Sequence, residues 1–320
     1  GVADAKWSAS HLLARGNAAL ARADYDEGYA ALTRALEQFE RYSGRASEGA
    51  RGTLVSLGAL EARRGRTDEA LAHFKEVVEG GEIALGPLHP DVATALSNLG
   101  AVYLLIDQPD EALPLQLRAL EIERGAYGED APKLASLYTN IGASYELLDH
   151  ADDAIGAYEH ALRIIEMHEG PKAYDLTRPL ANLGVARYGQ GKLDEATALH
   201  QRALEIVIEH SGPDHPDAAQ QYTHLGKLLA ARGRWPEAVP QFDRAAEIRA
   251  TRGMKQSFVS TFRFNAAKAW WDAKQDPKAV RLARQAYDGI MADAEGKRGD
   301  DDIAEIENWL RERGADVPGP

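Results

Sequence analysis

Apolar side chains in residues 91–127 fall at three- and four-residue spacing as Val92, Leu96, Leu99, Val102 and Tyr103, and after a polar break the pattern resumes as Ala112, Leu113, Leu117, Leu120 and Ile122. Each half is the stripe of an amphipathic helix. The break, Asp107-Gln-Pro-Asp110, predicts a turn, so the segment reads as helix, turn, helix. The pattern then repeats along the whole chain. Small residues anchor it at Gly16, Gly58, Gly100, Gly142, Gly184, Gly226 and Ala267, at intervals of 42, 42, 42, 42, 42 and 41. A second anchor follows 12 residues later (Gly28, Ala70, Ala112, Ala154, Ala196, Ala238, Ala279), and a third 7 residues after that (Ala35, Val77, Ala119, Ala161, Ala203, Ala245, Ala286). Glycine or alanine at a close helix crossing has a steric cause, since a larger side chain would push the helix axes apart. A fixed period of this size predicts stacked units, each completing its neighbour's core.

The turns carry their own punctuation. Gly65-Arg-Thr67, Gly191-Lys-Leu193 and Gly233-Arg-Trp235 stand in register with Asp107 and Asp149, where glycine ends one helix and the next begins near Asp or Pro. The spacing of small residue, alanine and alanine, preceded by Leu57, Leu99, Ile141, Leu183 and Leu225, resembles the tetratricopeptide repeat. Its common form runs about 34 residues. With eight more per unit, His89-Pro-Asp-Val92, Ser97-Asn-Leu-Gly100, Asp110-Glu-Ala112, Leu117-Arg-Ala-Leu-Glu-Ile122 and, three periods on, His215-Pro-Asp217 are similar to the long repeats of kinesin light chains and their bacterial relatives. The resemblance implies an all-α, right-handed superhelical solenoid of about seven helix pairs, and a protein- or peptide-binding role rather than any one partner. The units fall near 5–43, 47–85, 89–127, 131–169, 173–211, 215–253 and 256–294. A polar linker at 296–302 follows, then a capping helix at 303–313 carrying Ile303, Ile306, Trp309 and Leu310, and a tail at 314–320. The array followed by this short helix also resembles the C-terminal repeat region of large bacterial Ser/Thr kinases, although no kinase motif lies in the chain.

Composition changes this picture little. Hydrophobic residues at 44% and charged residues at 27% are ordinary for a folded soluble protein, and no run approaches the length of a membrane span. The default expectation is a cytoplasmic protein that contacts no membrane. The absence of cysteine excludes disulfides and thiolate metal sites. Charge is more informative. Residues 81–160 hold 3 basic and 14 acidic side chains and so account for most of the net charge of −13. Such a band repels phosphate backbones and attracts basic partners, which argues against nucleic acid as a ligand; it also suits a plain solvated face.

In a stacked array the first helices line the concave groove. Two residues before each small anchor stand Ala14, Ser56, Asn98, Asn140, Asn182, His224 and Asn265. An asparagine amide offers both a donor and an acceptor to an extended backbone. In tetratricopeptide proteins that bind extended peptides, asparagines in this register form a clamp on the ligand backbone, and the resemblance carries that role to Asn98, Asn140, Asn182 and Asn265; His224 departs from it. The other reading has these amides bonding the neighbouring unit to hold the stack. Flanking stripe positions include Thr94, Ser136, Arg178, Gln220, Lys227, Thr261 and Lys268, with no acid before Asp272. Arg178, Lys227 and Lys268 make the C-terminal half of the groove suited to an acidic segment or a terminal carboxylate.

No phosphate loop, nucleophile elbow or H-E-x-x-H appears, and His168-Glu169 runs straight into Gly170-Pro171. His89 and His215 read as first-turn residues, Asp152-Asp153 and Asp300-Asp-Asp302 as helix-start acids, and Tyr103, Tyr145, Trp270 and Trp271 as core. The sequence predicts a non-enzymatic interaction module, with no cofactor and no metal, that takes an extended peptide or protein segment in its groove. The alternative is a scaffold or autoregulatory arm of a larger signalling protein that works through convex or edge surfaces.

Overall fold

Every regular element among the described residues is helical. The computed structural model describes residues 2–251, 260, 263–265, 267, 268, 270, 271, 277–292 and 300–316. The chain divides into two units, Gly1–His168 and Glu169–Pro320. The first contains α1 (Val2–Ala21), α2 (Tyr25–Ser43), α3 (Glu48–Arg63), α4 (Thr67–Leu85), α5 (Pro90–Leu105), α6 (Pro109–Tyr127), α7 (Leu134–Leu147) and α8 (Ala151–Glu169). The second contains a 3-10 turn (Tyr174–Leu176), α9 (Thr177–Gly189), α10 (Leu193–Ser211), α11 (Pro216–Ala231), α12 (Trp235–Thr251), helical positions within 260–271, and helices Pro277–Ala292 and Asp300–Glu312. The expected linker at 296–302 and tail at 314–320 lie partly outside the described residues, as does much of the expected seventh unit. Thr261 and Asp272 are also outside them.

The anchors do what steric reasoning asks of them. A Cβ at Gly16, Gly58, Gly100, Gly142, Gly184 or Gly226 would come within 2.9 Å of, respectively, Leu32, Phe74, Gln116, Tyr158, His200 or Phe242, always the residue 16 positions on in the paired helix. Each second helix thus presses one side chain onto the bare backbone of its first helix. The alanine anchors Ala70, Ala112, Ala154, Ala196 and Ala238 are fully buried beside them.

Two turns recur with the period. Inside each pair the first helix ends on a left-handed residue: Ala23, Gly65, Asp107, Asp149, Gly191 or Gly233, with φ from 57° to 76°. At Asp149 the next amide, His150 N–H, donates back to the Tyr145 carbonyl at 2.9 Å, so the turn satisfies carbonyls that the helix end leaves open. Between pairs, Gly44, Gly86, Gly128, Gly170 and Gly212 hold φ from 83° to 92°. An L side chain rarely adopts that conformation, which explains glycine there.

Helix starts follow the sequence. The Nδ1 atoms of His89 and His215 accept the Asp91 and Asp217 amides at 3.1 and 3.3 Å, the first-turn capping role read from the sequence. Asp152 and Asp153 sit in the first turn of α8. Tyr103, Tyr145, Trp270 and Trp271 are partly buried. In the second unit Ile306, Trp309 and Leu310 of Asp300–Glu312 are buried in one cluster with Phe264, Ala279, Tyr287 and Ile290, and Trp270, Trp271 and Val280 pack against it.

Candidate peptide-binding surface

Successive first helices touch within each unit (α3 with α5, α5 with α7, α9 with α11), leaving an open hollow between neighbours. Between α3 and α5 the hollow is about 270 Å³, and Glu48, Arg51, Asp91 and Thr94 line it over Val77 and Gly81 of α4. Between α5 and α7 it is about 340 Å³, lined by Thr94, Ser97, Asn98, Lys133 and Ser136, with Glu123 of α6 beneath. Between α9 and α11 it is about 200 Å³, lined by Thr177, Arg178, Asn182, Asp217, Gln220 and Gln221.

Asn98 and Asn182 are half-buried in these hollows, and among the described residues neither amide is hydrogen-bonded within the chain. Their donors and acceptors remain available to a ligand. Asn140 and Arg178 differ, since each already has an interaction within the chain. The asparagine register therefore does not have the same surroundings in every unit.

His224 is set apart by its packing. Its ring lies flat on that of His200, with centroids 4.6 Å apart and planes 6° from parallel, and His200 Nδ1 is 2.9 Å from Gln221 Oε1. Burial, and then the neighbouring His200, Lys227 and Arg249, push the His224 pKa down to about 4, so the imidazole is neutral at ordinary pH. Burial lowers the His200 pKa as well. Lys227 is exposed on the next turn of α11. Asn265 is half-buried. Lys268 pairs with Glu305 at 3.0 Å and lies 4.6 Å from the Phe264 ring centroid.

Reading only the first-helix stripe missed the acids. Glu48, Asp91, Glu123 and Asp217 all line the hollows, from first turns or from second helices. The stripe is free of acid, but the surface it helps to form is not. Arg178 shares its hollow with Asp217, which accepts a 2.6 Å hydrogen bond from the Tyr174 hydroxyl.

The family signature of the tetratricopeptide repeat matches residues 7–82, 50–122, 91–167 and 175–251. Among solved structures the chain is similar to BtubC (BKLC) from P. vanneervenii, at 24% identity over 79% of this chain and 92% of that one, with a TM-score of 0.56. It is similar to a Rap protein complexed with Competence and Sporulation Factor, at 18% identity over 98% and 93% of the two chains, with a TM-score of 0.60. A putative kinesin light chain of Podosopora anserina with TPR-like repeats is 18% identical over 62% and 94%, with a TM-score of 0.54. No curated protein sequence matches the chain. No described helix is long and apolar enough to cross a membrane. The 42-residue helix pairs, their glycine crossings and the signature spanning most of the sequence agree, and the chain belongs to the tetratricopeptide repeat family.

Proposed function

We propose that this chain is a non-enzymatic interaction module that holds an extended peptide or protein segment against its first helices. The observation that carries this reading is the pair of half-buried amides, Asn98 and Asn182, that face open hollows without a hydrogen bond inside the protein. An extended backbone presents alternating donors and acceptors, and an amide side chain matches both. A partially desolvated amide also loses less to water competition on binding than one on an open surface. The similar Rap protein is complexed with Competence and Sporulation Factor, which is consistent with an interaction role. In the second unit Arg178 and Lys227 add positive charge and favour acidic residues of the ligand there.

A scaffold reading has its own observation. Ile83 and Leu88, at the end of α4 and in the loop that follows, are 87% and 77% exposed and offer an apolar edge. A random peptide library displayed on phage and selected on the full chain separates the two. Selected peptides are expected to bind Asn98→Ala and Asn182→Ala about fivefold more weakly for each neutral hydrogen bond lost, roughly 1 kcal/mol. They should also protect amides of α5 and α7, or of α9 and α11, from hydrogen exchange. Peptides indifferent to both substitutions that protect the end of α4 would overturn the groove reading.

A further inference from the structure

The position 23 residues after an anchor lies on the second helix and lines two of the hollows, as Gly81 between α3 and α5 and as Glu123 between α5 and α7. In the other units Phe39, Ile165, Val207 and Ile290 occupy it as buried apolar residues and Arg249 as a half-buried cation. In the hollow between α5 and α7 the occupant is Glu123. It is 5% exposed, its Oε2 has no hydrogen-bond partner, and no described cation lies within ion-pairing distance. Burial drives its pKa up, Lys133 pulling partly the other way and Asp91 adding to the rise. An unpaired carboxylate in a core position costs stability that an apolar residue would not.

We propose that this hollow is a subsite for the side chain of a lysine or arginine on the bound segment, with Glu123 as its counter-ion. The assignment rests on the reading that the first helices hold an extended chain. The walls support a donor-only ligand. Thr94 and Ser136 each spend their single hydroxyl proton on a carbonyl of their own chain, Pro90 and Lys133, both at 3.2 Å, so each offers the hollow a lone pair. Asn98 adds an amide oxygen. An ammonium has three donors and no acceptor, and a guanidinium five and none. Lys133 does not fill the place itself, because its ammonium lies 4.9 Å from the Tyr127 ring centroid. At about 340 Å³ and open to solvent, the hollow suits one long side chain entering from a segment laid across it. The surplus of 14 acidic over 3 basic residues in 81–160 draws such a segment in.

The probes are a capped Ser-Ala-Ser-Lys-Ser-Ala-Ser peptide, twins with N-acetyllysine or alanine in place of lysine, and n-butylammonium chloride. Each is titrated into the full chain by NMR. Saturable shifts of α5 and α7 amides are expected for the lysine peptide, at least about tenfold weaker for both twins and for Glu123→Gln. Glu123→Ile, which installs the residue found at the same position as Ile165, should fold at least as stably as the parent and bind the lysine peptide no better than Glu123→Gln. No saturation by about 10 mM, equal affinity for the acetylated twin, or binding unchanged in Glu123→Gln overturns the subsite. Butylammonium binding as tightly as the peptide overturns it in favour of a free-amine site. An alanine peptide that binds as tightly and still depends on Asn98 sinks the subsite alone, leaving the groove reading in place.

Discussion

Replacing Gly142 with alanine adds one methyl where the fold has room for none. The new Cβ would lie 2.4 Å from Tyr158 Cε1 and 2.7 Å from Cδ1, against an ordinary contact of 3.4–4 Å, so the ring or the helix must give by about an ångström. Tyr158 has nowhere to go. It is 0% exposed and its hydroxyl donates to Glu146 Oε2 at 2.8 Å. Overpacking of this kind costs about 1–3 kcal/mol, and straining the phenol hydrogen bond adds up to about 1 kcal/mol. Alanine returns about 0.5–1 kcal/mol through its better helix propensity. The net expectation is a loss of about 1–3 kcal/mol. Gly156→Ala, on α8 with nothing within 4 Å of its Cβ, should instead stabilise by about 0.5–1 kcal/mol. Native-state hydrogen exchange of α7 and α8 amides is the suitable assay, because a repeat array need not unfold in one step. The decisive comparison repeats Gly142→Ala in a Tyr158→Ala background, where the methyl meets a cavity and the substitution should become neutral or stabilising. A cost that survives removal of the ring would refute the steric account of the anchors.

Protonation supplies a second prediction. The His224 pKa falls from 6.5 when unfolded to about 4 when folded, so the unfolded chain binds more protons between those values and stability drops as pH falls through that window, by up to about 1.4 kcal/mol per pH unit from this group. His224→Asn, which restores the residue at the equivalent positions Asn98, Asn140 and Asn182, should flatten the slope in urea titrations at pH 4.5, 5.5 and 6.5; an unchanged slope would assign the acid sensitivity elsewhere. Deleting 301–320 removes Ile306, Trp309 and Leu310 from contact with Phe264, Tyr287 and Ile290, and sedimentation should show association of the truncated chain. A truncated chain that stays monomeric and as stable as the parent would refute the capping assignment.

Periodicity made the helix pairs legible, because the small anchors and the alanines 12 and 19 residues on are local features repeated at one interval, whereas the side chain 16 residues on that presses each glycine shows only in the packing. The in-pair turn was legible at Gly65, Gly191 and Gly233 and, by register, at Asp107 and Asp149. The glycines between pairs, from Gly44 to Gly212, carry the same period and a sharper conformational reason, yet only the backbone shows that each is left-handed. Asn98 and Asn182 were read from register alone, whereas the interaction that occupies Asn140 and the His200–His224 stack depend on neighbours that spacing along one helix does not reveal.

The same limit hid Glu123, and the reason is instructive about where specificity resides in a repeat. A stripe on one helix describes half a hollow, since the floor comes from the paired helix 23 residues beyond the anchor. Compared down that column, Phe39, Ile165, Val207 and Ile290 satisfy the core, Arg249 is half-buried with an interaction inside the chain, and the acid at 123 is the buried charge there whose Oε2 gains no partner. Gln116, 0% exposed, and His200, 1% exposed, also replace the bulky apolar residue that presses on an anchor, but each recovers a hydrogen bond: Gln116 Oε1 accepts from Ser144 at 2.7 Å, and His200 meets Gln221. Those two substitutions tie one helix pair to the next, although Gln116 Nε2 stays without a hydrogen-bond partner. Glu123 differs in being an acid with no ion pair among the described residues, and a buried charge left unpaired by the protein is the position where a ligand of opposite charge gains most.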